Sequence, residues 1–226
     1  MECRQFHNCG KILPSGAGDQ EACGSRYMKK KTAKPGSCFA VEDLMTLLHD
    51  LVYILGVVAV VFVFFVRVVT VDGKSMQPTL QERDHLLLLS NLWYTEPEAG
   101  DVVVARIPGF SDDPIVKRVI AVEGDVVDID FESGTVSVNG VILEEKYIAE
   151  PTYRDFGELG VDFPVVIKPG CVFLMGDNRN VSYDSRYAPI GQVDTRYILG
   201  RVIFLVMPGS DEETHARDYD RIGKIG

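Results

Sequence analysis

Residues 114–130 read Pro114-Ile115-Val116-Lys117-Arg118-Val119-Ile120-Ala121-Val122-Glu123-Gly124-Asp125-Val126-Val127-Asp128-Ile129-Asp130. A run dominated by β-branched residues, a Gly-Asp turn and a second short run form the pattern of two strands joined by a tight connection. The same grammar recurs on both sides. Apolar or alternating runs at His85–Leu89, Val102–Arg106, Val136–Val138, Val165–Ile167, Val172–Leu174 and Val202–Val206 are separated by Gly100-Asp101, Asn139-Gly140, Pro169-Gly170 and Pro208-Gly209. With no long amphipathic helix among them, residues 68–208 are expected to form a mainly β, antiparallel domain. Residues 126–170 are expected to form a small β cap inserted within it.

Lys117 is out of place in its run. A lysine on an apolar central strand is held near low-dielectric surroundings that lower its pKa, whereas on an edge strand it is simply solvated. The first alternative matters because Ser75, in Gly73-Lys74-Ser75-Met76-Gln77-Pro78-Thr79-Leu80, needs a base. Histidine is scarce: His7, His49, His85 and His215 are the full set, so a Ser-His-Asp triad is poorly supplied. Lysine serves as a base only when neutral, which near pH 8 requires a drop of roughly 2–3 units from ~10.4. Ser-Lys versions of acyl-transfer machinery meet that requirement by burial.

Upstream, Leu51–Val66 carries no charge and covers about 24 Å as a helix. Extended by Leu44–Leu48 before it and Val68–Val71 after it, with Arg67 snorkelling, it is expected to be a single transmembrane helix over residues 43–67. Some fifty residues precede it and no small-x-small cleavage site follows, so a retained anchor is favoured. Residues 1–42 are expected to be a flexible basic tail. Arg26, Lys29, Lys30, Lys31 and Lys34 place that tail in the cytoplasm, with the β domain on the outer side of the cell membrane. Cys3, Cys9, Cys23 and Cys38 fall in the tail without C-x-x-C pairing, and Cys171 stands alone beyond the span, so neither zinc nor an intramolecular disulfide is expected. From Val68 onward, 27 Asp/Glu face 15 Lys/Arg, which lacks the basic footprint that nucleic-acid binding requires. Residues 209–226 are charged and expected to fray. No cofactor or metal motif is present in the sequence.

At this point the chain resembles the bacterial type I signal peptidases, Ser-Lys serine proteases anchored in the membrane. Four blocks carry the resemblance in order: Ser75–Leu80, Gly100-Asp101-Val102-Val103-Val104, Lys117–Asp125, and Gly176-Asp177-Asn178-Arg179-Asn180-Val181-Ser182-Tyr183-Asp184-Ser185-Arg186. The likeness runs from the apolar segment to about Met207. It implies a signal-peptidase-type β fold, shared with Ser-Lys self-cleaving repressors. It also implies removal of signal peptides from secretory preproteins after Ala-x-Ala-like sites.

Position by position, the resemblance implies that Ser75 is the nucleophile and Lys117 the general base, with Ser182 orienting the Lys117 amine. Asp184 and Arg186 would form one supporting ion pair, Asp177 and Arg118 another. Where some members carry a serine two residues before the nucleophile, this chain has Gly73. That departure is similar to the Gram-positive branch, and it implies that backbone N–H groups of Gly73 and Ser75 form the oxyanion hole. A substrate strand adding beside Val69–Gly73 would meet Val69, Val71, Met76, Ile115 and Val116 as pocket candidates, with ordinary core packing as the alternative. Met76 is also a candidate to dip into lipid.

Two other readings compete. A self-cleaving Ser-Lys repressor should carry a DNA-binding domain where this chain has an apolar span. A non-catalytic assembly or chaperone protein for surface structures would typically lack Ser75, Lys117 and Ser182. Asn180-Val181-Ser182 matches a glycosylation acceptor, but a glycan there would cover Ser182, so the match is taken as chance.

Overall fold

The computed structural model describes residues 38–210 and 216–225. Contacts divide the chain into residues 1–47 and 48–226, and every candidate site residue belongs to the second unit. Most of the basic tail, with three of its four cysteines, lies outside the described residues.

Helix α1 (Cys38–Phe64) contains a stretch, Glu42–Phe62, long and apolar enough to cross a membrane by length and composition, with none of it buried against protein. The helix ends earlier than expected. It stops at Phe64, where Phe65 N–H still donates to Val61 O at 2.9 Å, while Phe65 O accepts from Ser90 N–H at 3.0 Å. Strand β1 (Val66–Thr70) follows at once and pairs antiparallel with β2 (His85–Ser90), Arg67 opposite Leu88. Arg67 is therefore a strand residue and Val68–Val71 does not lengthen the helix. The physical reason is the β-branched run Val66, Val68, Val69, Thr70 beside an available apolar partner strand.

The main sheet adds β3 (Val102–Ala105), β4 (Ile115–Ala121), β9 (Cys171–Met175), β10 (Val193–Asp194) and β11 (Ile198–Met207) in the order β1-β2-β11-β3-β4-β9-β10. Strand β4 lies between β3 and β9, paired antiparallel with each. A second sheet, ordered β7-β6-β5-β8, is built from β5 (Val126–Asp130), β6 (Thr135–Val138), β7 (Val141–Ile142) and β8 (Val165–Val166). Its hairpin turns at Asn139 (φ 54°) and Gly140 (φ 78°), the two left-handed positions that a two-residue connection between right-twisted strands demands.

Three core clusters hold these sheets. One, with Met76, Leu80, Leu86 and Leu88, lies against the turn that carries Ser75. A second includes Val103, Val119, Leu174 and Ile198. In the third, Ile120, Phe173 and Met175 of the main sheet meet Val127, Ile129 and Val136 of the smaller one.

The C-terminal segment departs from expectation. Strand β12 (Gly223–Lys224) pairs with β11, and Ile225 packs on the first cluster. Its backbone gains a partner strand and its isoleucine an apolar seat, which offset the fraying that its charge suggested.

Candidate active site

The turn after β1 is pinned from below. Met76 and Leu80 are both buried, and Leu80 N–H donates to Met76 O at 2.9 Å, so two apolar side chains anchor the residues flanking Ser75 and leave Ser75 half-buried. Gly73, at φ +89°, takes a backbone conformation that a side chain would strain. Among the described residues, neither the Gly73 nor the Ser75 N–H has an acceptor, which leaves both free to meet a developing oxyanion.

Lys117 is the third residue of β4 and 3% exposed. Its Nζ donates to Ser75 Oγ at 2.7 Å and to Val116 O at 3.0 Å. Burial pushes the amine down to about 8, while Asp184 and Asp177 pull it up and Arg186 pushes it further down. A substantial neutral fraction near pH 8 gives the amine a lone pair within reach of the serine proton, as general-base chemistry requires.

Buried ion pairs frame this contact. Arg118 Nε and Nη2 donate to Asp177 Oδ1 and Oδ2 at 2.8 and 2.7 Å. Thr79 Oγ1 donates to the same carboxylate at 2.5 Å, joining the serine turn to the strand that carries Lys117. Asp184 and Arg186 are fully buried and paired through two bonds, at 2.8 and 2.9 Å. Burial alone would raise the Asp184 carboxyl, but the Arg186 charge and hydrogen bonds, with Gly176 N–H, hold it below the usual carboxylate range. Such pairs are costly to desolvate and strongly destabilising to break singly.

Ser182 differs from expectation. Its hydroxyl is fully buried and has no hydrogen-bond partner among the described residues, so the expected bond to Lys117 is not made. It lies close enough to Asp184 to help lower that carboxyl without meeting hydrogen-bond geometry. The Lys117 amine is instead directed by Val116 O and Ser75 Oγ, acceptors already aligned along β4 and the turn.

The pocket candidates divide. Met76 (1% exposed) and Val71 (4%) are core side chains, so Met76 neither walls an open pocket nor reaches lipid. Their apolar character serves to seat the turn. Val69, Ile115 and Val116 are half-buried and keep surface for a substrate. Strand β1 ends the order of the main sheet, pairing among the described residues only with β2, so its other edge can accept an extended peptide.

Several contributors were missed from the sequence. Asn178 donates its amide N–H to Ser75 O and its Nδ2 to Lys74 O, both at 3.0 Å, fastening the serine turn from outside. Arg179 forks onto Glu145, with Nη1 to Oε2 at 2.9 Å, and bonds Thr152 Oγ1 at 3.0 Å. Tyr147 stacks under the Arg118 guanidinium at 4.1 Å. Residues 145–152 thus brace the site as well as capping the sheet. The signal available was the density of polar residues in Gly176–Asn180 directly after a buried strand, since buried charges need partners. Asn180 accepts from the Tyr153 and Arg154 N–H groups through Oδ1 and donates through Nδ2 to Glu150 and Pro151 O, so its side-chain amide is already engaged.

Residues 44–207 match the family model described as signal peptidase, peptidase S26. The chain belongs to that family. Among its relatives, signal peptidase I of Bacillus caldolyticus is 35% identical over 162 residues, covering 67% of this chain and 85% of that protein. The probable signal peptidase I-2 of Synechocystis is 36% identical over 146 residues, covering 61% of this chain and 62% of that protein. The thylakoidal processing peptidase 1 of Arabidopsis thaliana is 31% identical over 152 residues, covering 62% of this chain and 42% of that protein. The chain thus spans less than two thirds of the Synechocystis and Arabidopsis relatives and most of the Bacillus one. The matched span of this signal peptidase family member takes in Ser75, Lys117, Asp177, Ser182 and Asp184.

Proposed function

We propose that this protein is a membrane-anchored serine endopeptidase that removes N-terminal signal peptides from exported preproteins after Ala-x-Ala-like sites. The observation that carries the reading is the 2.7 Å contact between Lys117 Nζ and Ser75 Oγ, made by a lysine whose burial lowers its pKa to about 8.

The mechanism runs on these atoms. Neutral Lys117 takes the Ser75 proton as Oγ attacks the scissile carbonyl carbon, and the oxyanion accepts from the Ser75 and Gly73 N–H groups. The ammonium then protonates the leaving amine, the C–N bond breaks, and the mature chain departs from a Ser75 ester. Lys117 next deprotonates a water that attacks the ester, and its proton returns to Ser75 Oγ as the signal peptide leaves as an acid. Asp177–Arg118 and Asp184–Arg186 hold the base and turn in register. Ser182 lies beside Asp184 and helps keep that carboxylate ionised.

Helix α1 is the anchor, with residues before it in the cytoplasm and the β domain outside. Substrate lies along the free edge of β1, its small side chains reaching Val69, Ile115 and Val116. The test is incubation of the detergent-solubilised chain with a preprotein bearing an Ala-x-Ala site, followed by N-terminal analysis of the product. A mature N-terminus immediately after that site supports the reading, and an intact preprotein with folded protein present sinks it.

A further inference from the structure

Residues 217–225 lie beyond residue 207, where the family match ends, yet they return to the loop that follows Ser75. The centre of that return is Asp84, fully buried at the end of the 79–84 turn. Its Oδ1 accepts from Gly209 N–H at 2.8 Å and Arg221 Nη1 at 3.0 Å. Its Oδ2 accepts from Gln81 N–H at 2.7 Å and Arg221 Nη2 at 2.6 Å. Four donors thus fill the carboxylate, two of them from one guanidinium in the planar fork that makes such pairs geometrically specific.

The contact reaches toward the site by two further routes. Arg221 Nη2 also approaches Thr79 O at 3.4 Å, and Thr79 Oγ1 is the donor that ties the serine turn to Asp177. Ile225 packs on the cluster that holds Met76 and Leu80, the two anchors of that turn. The approach is close: a side chain at Gly209 would run into the Glu82 carbonyl. Arg83, within the clasped loop, has φ 64°, a left-handed conformation that a non-glycine residue keeps only when its surroundings hold it.

We propose that Arg221 is a positioning residue for Ser75, and that the segment 217–225 acts as a clasp that fixes the 76–84 turn from behind the site. The proposal rests on the reading of Ser75 as the nucleophile. Arg221 touches neither Ser75 nor Lys117; it acts through Asp84, Thr79 and the loop between them.

The test compares full-length wild type, Arg221→Met and Arg221→Lys by amide hydrogen exchange and by cleavage of an Ala-x-Ala peptide. The expected result for Arg221→Met is exchange at residues 76–84 faster by about tenfold or more, with β3, β4 and β9 unchanged. Cleavage should lose kcat by about tenfold or more with KM within about twofold, since misplacement of the nucleophile costs rate rather than binding. Arg221→Lys, which keeps the charge on Asp84, should recover part of both. Unchanged exchange at 76–84, or equal acceleration in every strand, would overturn the clasp and leave Arg221 a general stabiliser. If wild type cleaves nothing, the proposed function fails, while the exchange comparison still decides whether the clasp exists.

Discussion

Gly176 lies so close to Ser75 that a Cβ at position 176 would sit 2.5 Å from the Ser75 carbonyl oxygen and would also strike the Ser182 hydroxyl. Main chain cannot yield as a flexible side chain does, so Gly176→Ala should displace the serine turn. We expect kcat to fall by about 100-fold with the protein still folded, measured by peptide cleavage alongside thermal melting. Unaltered kcat would show that the turn accommodates the methyl group without consequence.

On the proposed mechanism the active form of Lys117 is the neutral amine, so kcat/KM should rise with pH through about 8. Asp184 raises the Lys117 pKa, so Asp184→Asn should move that rising limb to lower pH, and the unpaired Arg186 charge should push the same way. A pH–rate profile of both proteins checks the sign. A limb that stays in place or moves upward would contradict the electrostatic account.

Removing one partner from a buried pair leaves the other charge uncompensated. Asp177→Ala should therefore cost about 3–5 kcal/mol, read from urea unfolding, whereas Arg196→Ala should leave the unfolding midpoint nearly unchanged because its pair with Asp194 is largely solvated. Equal losses at the two sites would refute the distinction.

Acid stability follows from Asp184. Its folded pKa is depressed, so its contribution is present above the unfolded value of about 4 and is lost as pH falls through the folded one. Tm should accordingly drop below about pH 4, and the drop should be smaller in Asp184→Asn, whose starting Tm is lower. Identical acid profiles would remove Asp184 from the explanation.

Much of this architecture could be read from the chain. Val102–Arg106, Ile115–Val122 and Val126–Ile129 fall on β3, β4 and β5 because β-branched runs bounded by Gly turns have few other options. The meeting of Ser75 with Lys117, 42 positions apart, was expected from the likeness of their two blocks to one family, since the run around Lys117 by itself left the exposed edge-strand reading open. Strand β1 was not, because Val66–Val71 continues the apolar segment with Arg67 as its one charge, which a helix end accommodates equally well, and only its partner β2 selects the extended form. Met76 was misread for a related reason: hydrophobicity next to a nucleophile does not say whether the side chain faces substrate, lipid or core. The roles of Asn178, Glu145 and Arg221 depend on contacts across 34 to 137 positions, which leave no local periodicity to detect.

Topology has a direct reporter in Cys171, a free and half-buried thiol of β9. With the β domain outside, a membrane-impermeant maleimide should label Cys171 in intact cells and leave the tail cysteines unmodified until the membrane is opened. The reverse pattern would place the domain inside.

The most direct test of the account is cleavage of an Ala-x-Ala preprotein by wild type, Ser75→Ala and Lys117→Ala, each checked for native folding. The account predicts cleavage by wild type and loss of at least about 1,000-fold in both variants. Wild-type cleavage that persists in Lys117→Ala would contradict the Ser75–Lys117 dyad.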